Sequence, residues 1–172
     1  MADRAHTCCF TGSRPEKLTF DYRREPYYLD ALRRDLRSAV EHAIDAGYVN
    51  FISGMSRGFD LWAAEAVLDA RAAHPDVRLI CAVPFKAQAH HWDAEWRDLF
   101  SRVLRQADEI QVLFDQYERG CYYARDRHMV EQSDRVICWY TGAPGGTQYT
   151  YQYAQKQGCH IVNLADRQLS FF

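Results

Sequence analysis

A chain of 172 residues that is 48% hydrophobic and 14% aromatic can fill one core, which excludes a disordered chain and leaves little room for a second domain. Its net charge of −2 excludes a polycation, so contact with nucleic acid would need a local basic patch. No run approaches 18 apolar residues, and the opening MADRAHTCCFTG lacks the build of a signal peptide, so residues 1–172 are expected to form one cytoplasmic domain with no membrane span.

HTCCFTG reads as a first strand. From Tyr28 to Gly47, Leu29, Leu32, Leu36, Val40, Ala43 and Ile44 fall on one helical face, and Gly47 stops the helix. VNFISG is a second strand, followed by a helix carrying Leu61, Ala64, Val67 and Leu68. RLICAVPF is a third strand, and its helix carries Trp92, Trp96, Leu99, Phe100 and Val103. EIQVLFD is a fourth strand and Cys121 to Gln132 the next helix; RVICWYT is a fifth strand. GTQYTYQYAQKQG then forms a helix ending in Gly158, and HIVNL closes as the sixth strand.

The strands are continuous apolar runs, which implies burial on both faces. Six such strands alternating with five helices predict an α/β fold: a doubly wound, mainly parallel six-stranded sheet with helices on both faces. Sheets of this kind bind ligands beyond the carboxyl ends of their strands, where the strand order reverses.

The six cysteines, at 8, 9, 81, 121, 138 and 159, form no C-x-x-C pair, and those at 8, 9, 81 and 138 sit inside strand-like runs. Buried thiols are the simpler reading than zinc ligands or disulfides. His90, His91 and His128 lack ligand spacing, so no metal site is expected.

The segments after the strands share one chemistry. They are Thr11-Gly12-Ser13-Arg14-Pro15, Ser53-Gly54-Met55-Ser56-Arg57-Gly58, Pro84-Phe85-Lys86, Asp115 with Arg125-Asp126-Arg127, and Thr141-Gly142-Ala143-Pro144-Gly145-Gly146-Thr147. Glycines allow close backbone approach, and the N–H groups of a helix start suit phosphate. Arg14, Arg57, Arg125 and Arg127 would add charge-assisted bonds, so four guanidiniums gathered at one rim predict an anionic ligand. Each feature also has a plain structural reading: turn glycines, solvated loop arginines, a threonine helix cap. Neither G-x-G-x-x-G nor the Walker lysine motif is present, which disfavours a dinucleotide dehydrogenase or a P-loop enzyme.

TGSRP, ISGMSRGFDLWAAE, RDRHMVEQSDRVICWY and PGGT, in this order, resemble the SLOG superfamily and within it the YpsA-like branch. They are also similar to the core of DprA, the DNA-processing protein, with its G-S-R, S-G-x-A-x-G-I-D and R-N-R patterns. The resemblance runs from Cys8 to about Leu164 and implies a Rossmann-like sheet that binds nucleotides or nucleotide-derived, ADP-ribose-like ligands at the strand ends. Carried over by position, Gly12, Ser13 and Arg14 would form the first phosphate loop, and Ser53, Gly54, Gly58 and Asp60 the second, beside Arg57. Arg127 would reach in from the fourth crossover, and Gly145, Gly146 and Thr147 would cradle phosphate. Asp60 can also be read as a helix-start carboxylate that complements the dipole.

The superfamily includes the LOG phosphoribohydrolases, whose signature P-G-G-x-G-T-x-x-E supplies a glutamate for N-glycosidic cleavage. Here the second half of that signature is missing and Gln152 holds the glutamate position, where it cannot serve as a carboxylate base. Glu131 and Asp126 remain as other carboxylates. DprA-like single-strand binding would call for a basic groove, which a mildly acidic chain does not advertise; Tyr117, Tyr122, Tyr123, Tyr149, Tyr151 and Tyr153 flank the arginines, and Tyr123 or Tyr149 could stack on an adenine. The expected order is therefore a nucleotide-binding or sensing domain, then a nucleotide-processing hydrolase (N-glycosidic or phosphate ester), then a nucleic-acid binder. The aromatic last helix and Leu169-Ser170-Phe171-Phe172 could serve a homo-oligomer interface or fold onto the core.

Overall fold

Strand and helix alternate along residues 3–166, which the computed structural model describes. The strands are β1 (Thr7–Gly12), β2 (Asn50–Ser53), β3 (Arg78–Phe85), β4 (Glu109–Phe114), β5 (Arg135–Trp139) and β6 (His160–Asn163). Between them lie α1 (Pro26–Asp45), α2 (Phe59–Ala70), α3 (Ala94–Gln106), α4 (Cys121–Glu131) and α5 (Gly146–Lys156). A short 3-10 turn, Pro15–Lys17, follows β1. The sheet order is β4-β3-β2-β1-β5-β6, and every pairing is parallel. This is the Rossmann-like doubly wound arrangement.

Side-chain periodicity explains the layers. Helix α1 buries Leu29, Leu32, Leu36, Val40 and Ala43 along one stripe. It begins at Pro26, two residues before the apolar pattern does, because proline is pre-set for a first helical position. Helix α2 is buried on almost every side, since it packs against the sheet and against both α1 and α3. Trp92 precedes α3 and packs edge-on against Phe100 at 5.5 Å. The larger core lies on this face, with Phe10 stacked on Phe51 at 6.1 Å between centroids. A smaller core, including Cys9, Ile52, Met129, Val136 and Cys138, lies under α4 and α5.

Burial on both faces describes β1, β2, β3 and β5, but not the two edges. In β4 the pattern alternates, leaving Ile110 and Val112 exposed, and β6 is only half-buried. An edge strand has a neighbour on one side only; α4 covers one face of β4, where His128 and Gln132 bond Gln111, and Ile110 and Val112 are left exposed. All six cysteines are free thiols, five of them buried. Burial pushes Cys9 and Cys81 up to about 12, which keeps them protonated and inert. No helix among the described residues is long and apolar enough to cross a membrane. The Leu169–Phe172 stretch lies outside the described residues.

Candidate functional site

Strands β1 and β5 are neighbours although three strands separate them in the chain. The chain steps outward from β1 to β4, then returns past its start to β5. Loops leaving β1 and β5 therefore diverge to opposite faces and open a crevice at their carboxyl ends. A cleft of about 260 Å³ occupies that place.

One wall comes from the residues after β1: Thr11, Gly12, Ser13, Arg14 and, one 3-10 turn later, Lys17. The opposite wall runs from Tyr140 and Thr141 through Pro144 to Gly145, Gly146 and Thr147 at the start of α5. No side chain caps α5, so its first-turn amides carry the partial positive charge of the helix end toward the cleft. Gly145 has φ 140°, and a Cβ there would lie 3.2 Å from Lys17 Nζ. A cation thus sits directly over the turn that starts α5.

Two glycines from the first two loops serve packing. A Cβ on Gly12 would fall 2.3 Å from the Phe59 ring, and one on Gly58 would come within 2.7 Å of the Ser13 carbonyl. Gly58 has φ 86°, and the next amide, Phe59 N, donates to that same carbonyl at 3.2 Å. The glycines fasten the start of α2 against the β1 loop. Met55, fully buried in the second loop, holds the left-handed conformation at φ 63°, which costs a side-chain-bearing residue roughly 1–2 kcal/mol. Ser53 supports this bend: its Oγ accepts from Met55 N at 3.2 Å and donates to the Asp60 carbonyl at 2.8 Å.

The floor is charged. Arg125 is 4% exposed; its Nε donates to Asp126 Oδ1 at 2.7 Å and its Nη1 to the Gly54 carbonyl. A Cβ on Gly54 would stand 3.0 Å from this guanidinium, so Gly54 makes room for Arg125. Arg14 and Arg125 both lie over the Tyr122 ring, at 5.3 and 5.7 Å from its centroid. Asp60, in the first turn of α2, is 5% exposed, and its Oδ1 has no protein partner. Burial raises the Asp60 carboxyl to about 7; nearby Asp126 pushes the same way, while Arg125, the Ser56 backbone and Arg14 oppose it.

Of the twelve residues that the resemblance carried over to the ligand loops, seven line this cleft: Gly12, Ser13, Arg14, Asp60, Gly145, Gly146 and Thr147. Five do not. Ser53, Gly54 and Gly58 lie behind it in the roles just described. Arg57 turns into a neighbouring groove and pairs with Glu16. Arg127 is exposed on α4 and donates to the Tyr149 hydroxyl at 2.9 Å. Of the four guanidiniums expected at one rim, only Arg14 and Arg125 meet. Lys86 and Asp115 pair with each other at 2.8 Å away from the cleft, and Glu131 accepts from the Tyr153 hydroxyl on an exposed helix face. Lys17, Tyr140 and the wall formed by Tyr122 and Tyr123 complete the lining. Lys17 carried one sequence signal, Pro15 two residues earlier, which starts the turn that brings it back.

The fold places this chain near solved structures of DprA. That of Helicobacter pylori, a protein with its own single-stranded DNA binding mode, superposes with a TM-score of 0.56 at 18% identity, covering 90% of this chain and 63% of that one. The Streptococcus pneumoniae protein superposes with a TM-score of 0.54 at 13% identity, covering 96% and 62%. The chain thus spans less than two thirds of either DprA, and the likeness is one of fold. By sequence it is similar to a UPF0398 protein of Bacillus thuringiensis (strain Al Hakam), 32% identical over 131 residues that cover 74% of this chain and 69% of the relative. A Bacillus cereus UPF0398 protein is 31% identical over the same shares. The family model YpsA, described as the YspA SLOG family, matches residues 8–165, which take in every wall of the cleft. With nearly its whole length matched and its sheet wound as the motifs require, the chain belongs to the YspA SLOG family.

Proposed function

We propose that this protein binds a nucleotide or nucleotide-derived ligand, ADP-ribose-like in carrying phosphate and ribose, in the cleft between β1 and β5, and acts as a binding or sensing domain. One observation carries the reading. The uncapped start of α5, Lys17 above Gly145, and Arg14 beside the buried Arg125 converge on the crevice where the strand order reverses. Backbone amides, a helix dipole and cations at one place suit a phosphate group.

A LOG-type hydrolase is disfavoured on the residues present. Helix α5 contains no aspartate or glutamate, and Gln152 is exposed on it. A single-strand nucleic-acid binder is the second reading. It is favoured by exposed rings at Tyr117, in the loop before α4, and Tyr123, on α4 with Arg127, and the DprA relatives in fold give it context.

Thermal-shift and calorimetric titrations with AMP, ADP-ribose, dinucleotides and a short oligonucleotide separate these readings. A higher Tm and saturable binding with a nucleotide support the first. Salt-sensitive binding of the oligonucleotide alone supports the second. Release of free base or phosphate would restore the enzyme reading.

A further inference from the structure

The cleft has two polarities. Its rim offers donors and positive charge: the α5 amides, Lys17 and Arg14. Its floor holds a carboxyl group, Asp60, that is 5% exposed and has one oxygen, Oδ1, without a protein partner. Buried acceptors are seldom left unpaired, because desolvation is costly unless a donor arrives. A site built for phosphate alone gains nothing from an acid at its base.

The neighbours of Asp60 narrow what that donor is. The charges around it already balance, Asp60 and Asp126 against Arg125 and Arg14, so an incoming ammonium or metal ion finds no unmet negative charge. Among the described residues no cluster of three ligating side chains is present either. A neutral donor such as a hydroxyl satisfies the free oxygen and leaves that balance unchanged. In a phosphorylated nucleoside the group joined directly to phosphate is the sugar, and it brings vicinal hydroxyls. The cleft, at about 260 Å³, falls below the usual range of about 300–1,000 Å³ for whole small ligands. It fits phosphate and sugar, with the base left at the exposed Tyr123 ring.

We infer that Asp60 reads a sugar hydroxyl, so that the cleft selects a phosphorylated ribose over a bare anion or a sugar stripped of its 2′ and 3′ hydroxyls. The inference rests on the nucleotide reading above and deepens it. A carboxylate accepting from the hydroxyl supplies the discrimination, while the rim supplies affinity common to all phosphates.

The test is calorimetric titration at about pH 8.5, where the Asp60 carboxyl is ionised, of AMP, ADP-ribose, 2′,3′-dideoxyadenosine monophosphate and pyrophosphate, on the wild type, Asp60→Asn and Asp60→Ala. In the wild type AMP binds about tenfold or more tightly than its dideoxy analogue, as a hydrogen bond to a charged group implies. In Asp60→Ala that preference falls to about twofold or less while dideoxy binding persists, and Asp60→Asn keeps the shape and lowers the preference. Equal wild-type binding of AMP and its dideoxy analogue overturns the inference and leaves the nucleotide reading standing. A preference that survives both substitutions also overturns it, since the hydroxyl is then read elsewhere. Where Asp60→Ala does not fold, Asp60→Asn decides. Binding of none of the probes overturns the nucleotide reading, and this inference with it.

Discussion

Arg125 and Asp126, adjacent on α4, pair through Nε and Oδ1 at 2.7 Å with side chains only 5% and 9% exposed. The same guanidinium holds the Gly54 carbonyl, so it ties α4 to the loop after β2 across 71 residues of chain. A buried charge with satisfied partners is tolerated; one that loses its partner is not. Arg125→Met leaves Asp126 buried without its donor and is expected to destabilise the fold by about 3–5 kcal/mol. Urea unfolding reads this as a lower midpoint at unchanged slope. A loss under about 1 kcal/mol would mean that Arg125 is dispensable to the fold and held for the ligand alone.

The glycines separate into two classes by what a Cβ would meet. Gly58→Ala forces a side chain into the left-handed region and to 2.7 Å from the Ser13 carbonyl, and Gly12→Ala drives one into the Phe59 ring. Each is expected to cost about 1–3 kcal/mol of stability or more. At Gly146 a Cβ meets open space and φ is not positive, so Gly146→Ala is expected to keep the wild-type Tm to within the effect of about 0.5 kcal/mol. Thermal melts of the three variants side by side check the division.

Most of the fold was legible because the periodicity of apolar residues encodes it. The β1 run TCCFTG and the α1 stripe from Leu29 to Ala43 each carry their burial pattern openly. Strand order is not written in such patterns. EIQVLF does not declare β4 an edge, since the structure exposes its apolar Ile110 and Val112 and half-buries Glu109 and Gln111. In the site, backbone-determined positions were easier to read than side-chain directions. Gly145, Gly146 and Thr147 sit where a strand–turn–helix must put them. Arg57 and Arg127 occupy loops and helices at the right end of the sheet, yet their long side chains turn to Glu16 and Tyr149. Lys17 enters the cleft only because a 3-10 turn folds back over Gly145, a contact between loops 128 positions apart.

Asp60 gives the stability a pH signature. Its carboxyl is raised to about 7 in the folded chain, first by burial, against an ordinary value near 4 when unfolded. A raised carboxyl is protonated in both states at low pH. Above about pH 4 the unfolded chain releases the proton while the folded chain keeps it, so stability falls until the folded group also ionises near pH 7. This contribution is therefore greatest below about pH 4 and is lost by neutrality. Asp60→Asn removes it, and the variant is expected to gain on the wild type steadily between about pH 4 and pH 7. Chemical unfolding across that window measures the difference; a wild-type-to-variant gap that stays flat would show Asp60 ionised throughout.

Arg57 and Arg14 are both arginines after a strand, and only Arg14 lines the cleft. The partner of Arg57 is Glu16, a pair whose side chains are 24% and 56% exposed. Such pairs contribute about 0–1 kcal/mol, so Arg57→Ala is expected to shift Tm little and to leave nucleotide affinity within about twofold of the wild type. Arg14→Ala and Lys17→Ala each remove a cation from the phosphate side of the cleft. Each is expected to weaken binding about tenfold, the consequence of losing one charge-assisted contact of roughly 1.5 kcal/mol. The double variant is expected to lose both contributions, less any coupling through the shared phosphate. Titrating one nucleotide into the wild type and these four variants orders them by affinity. An Arg57→Ala loss as large as that of Arg14→Ala would place the anion in the groove lined by Pro15, Arg57 and Trp96 instead of the crevice between β1 and β5.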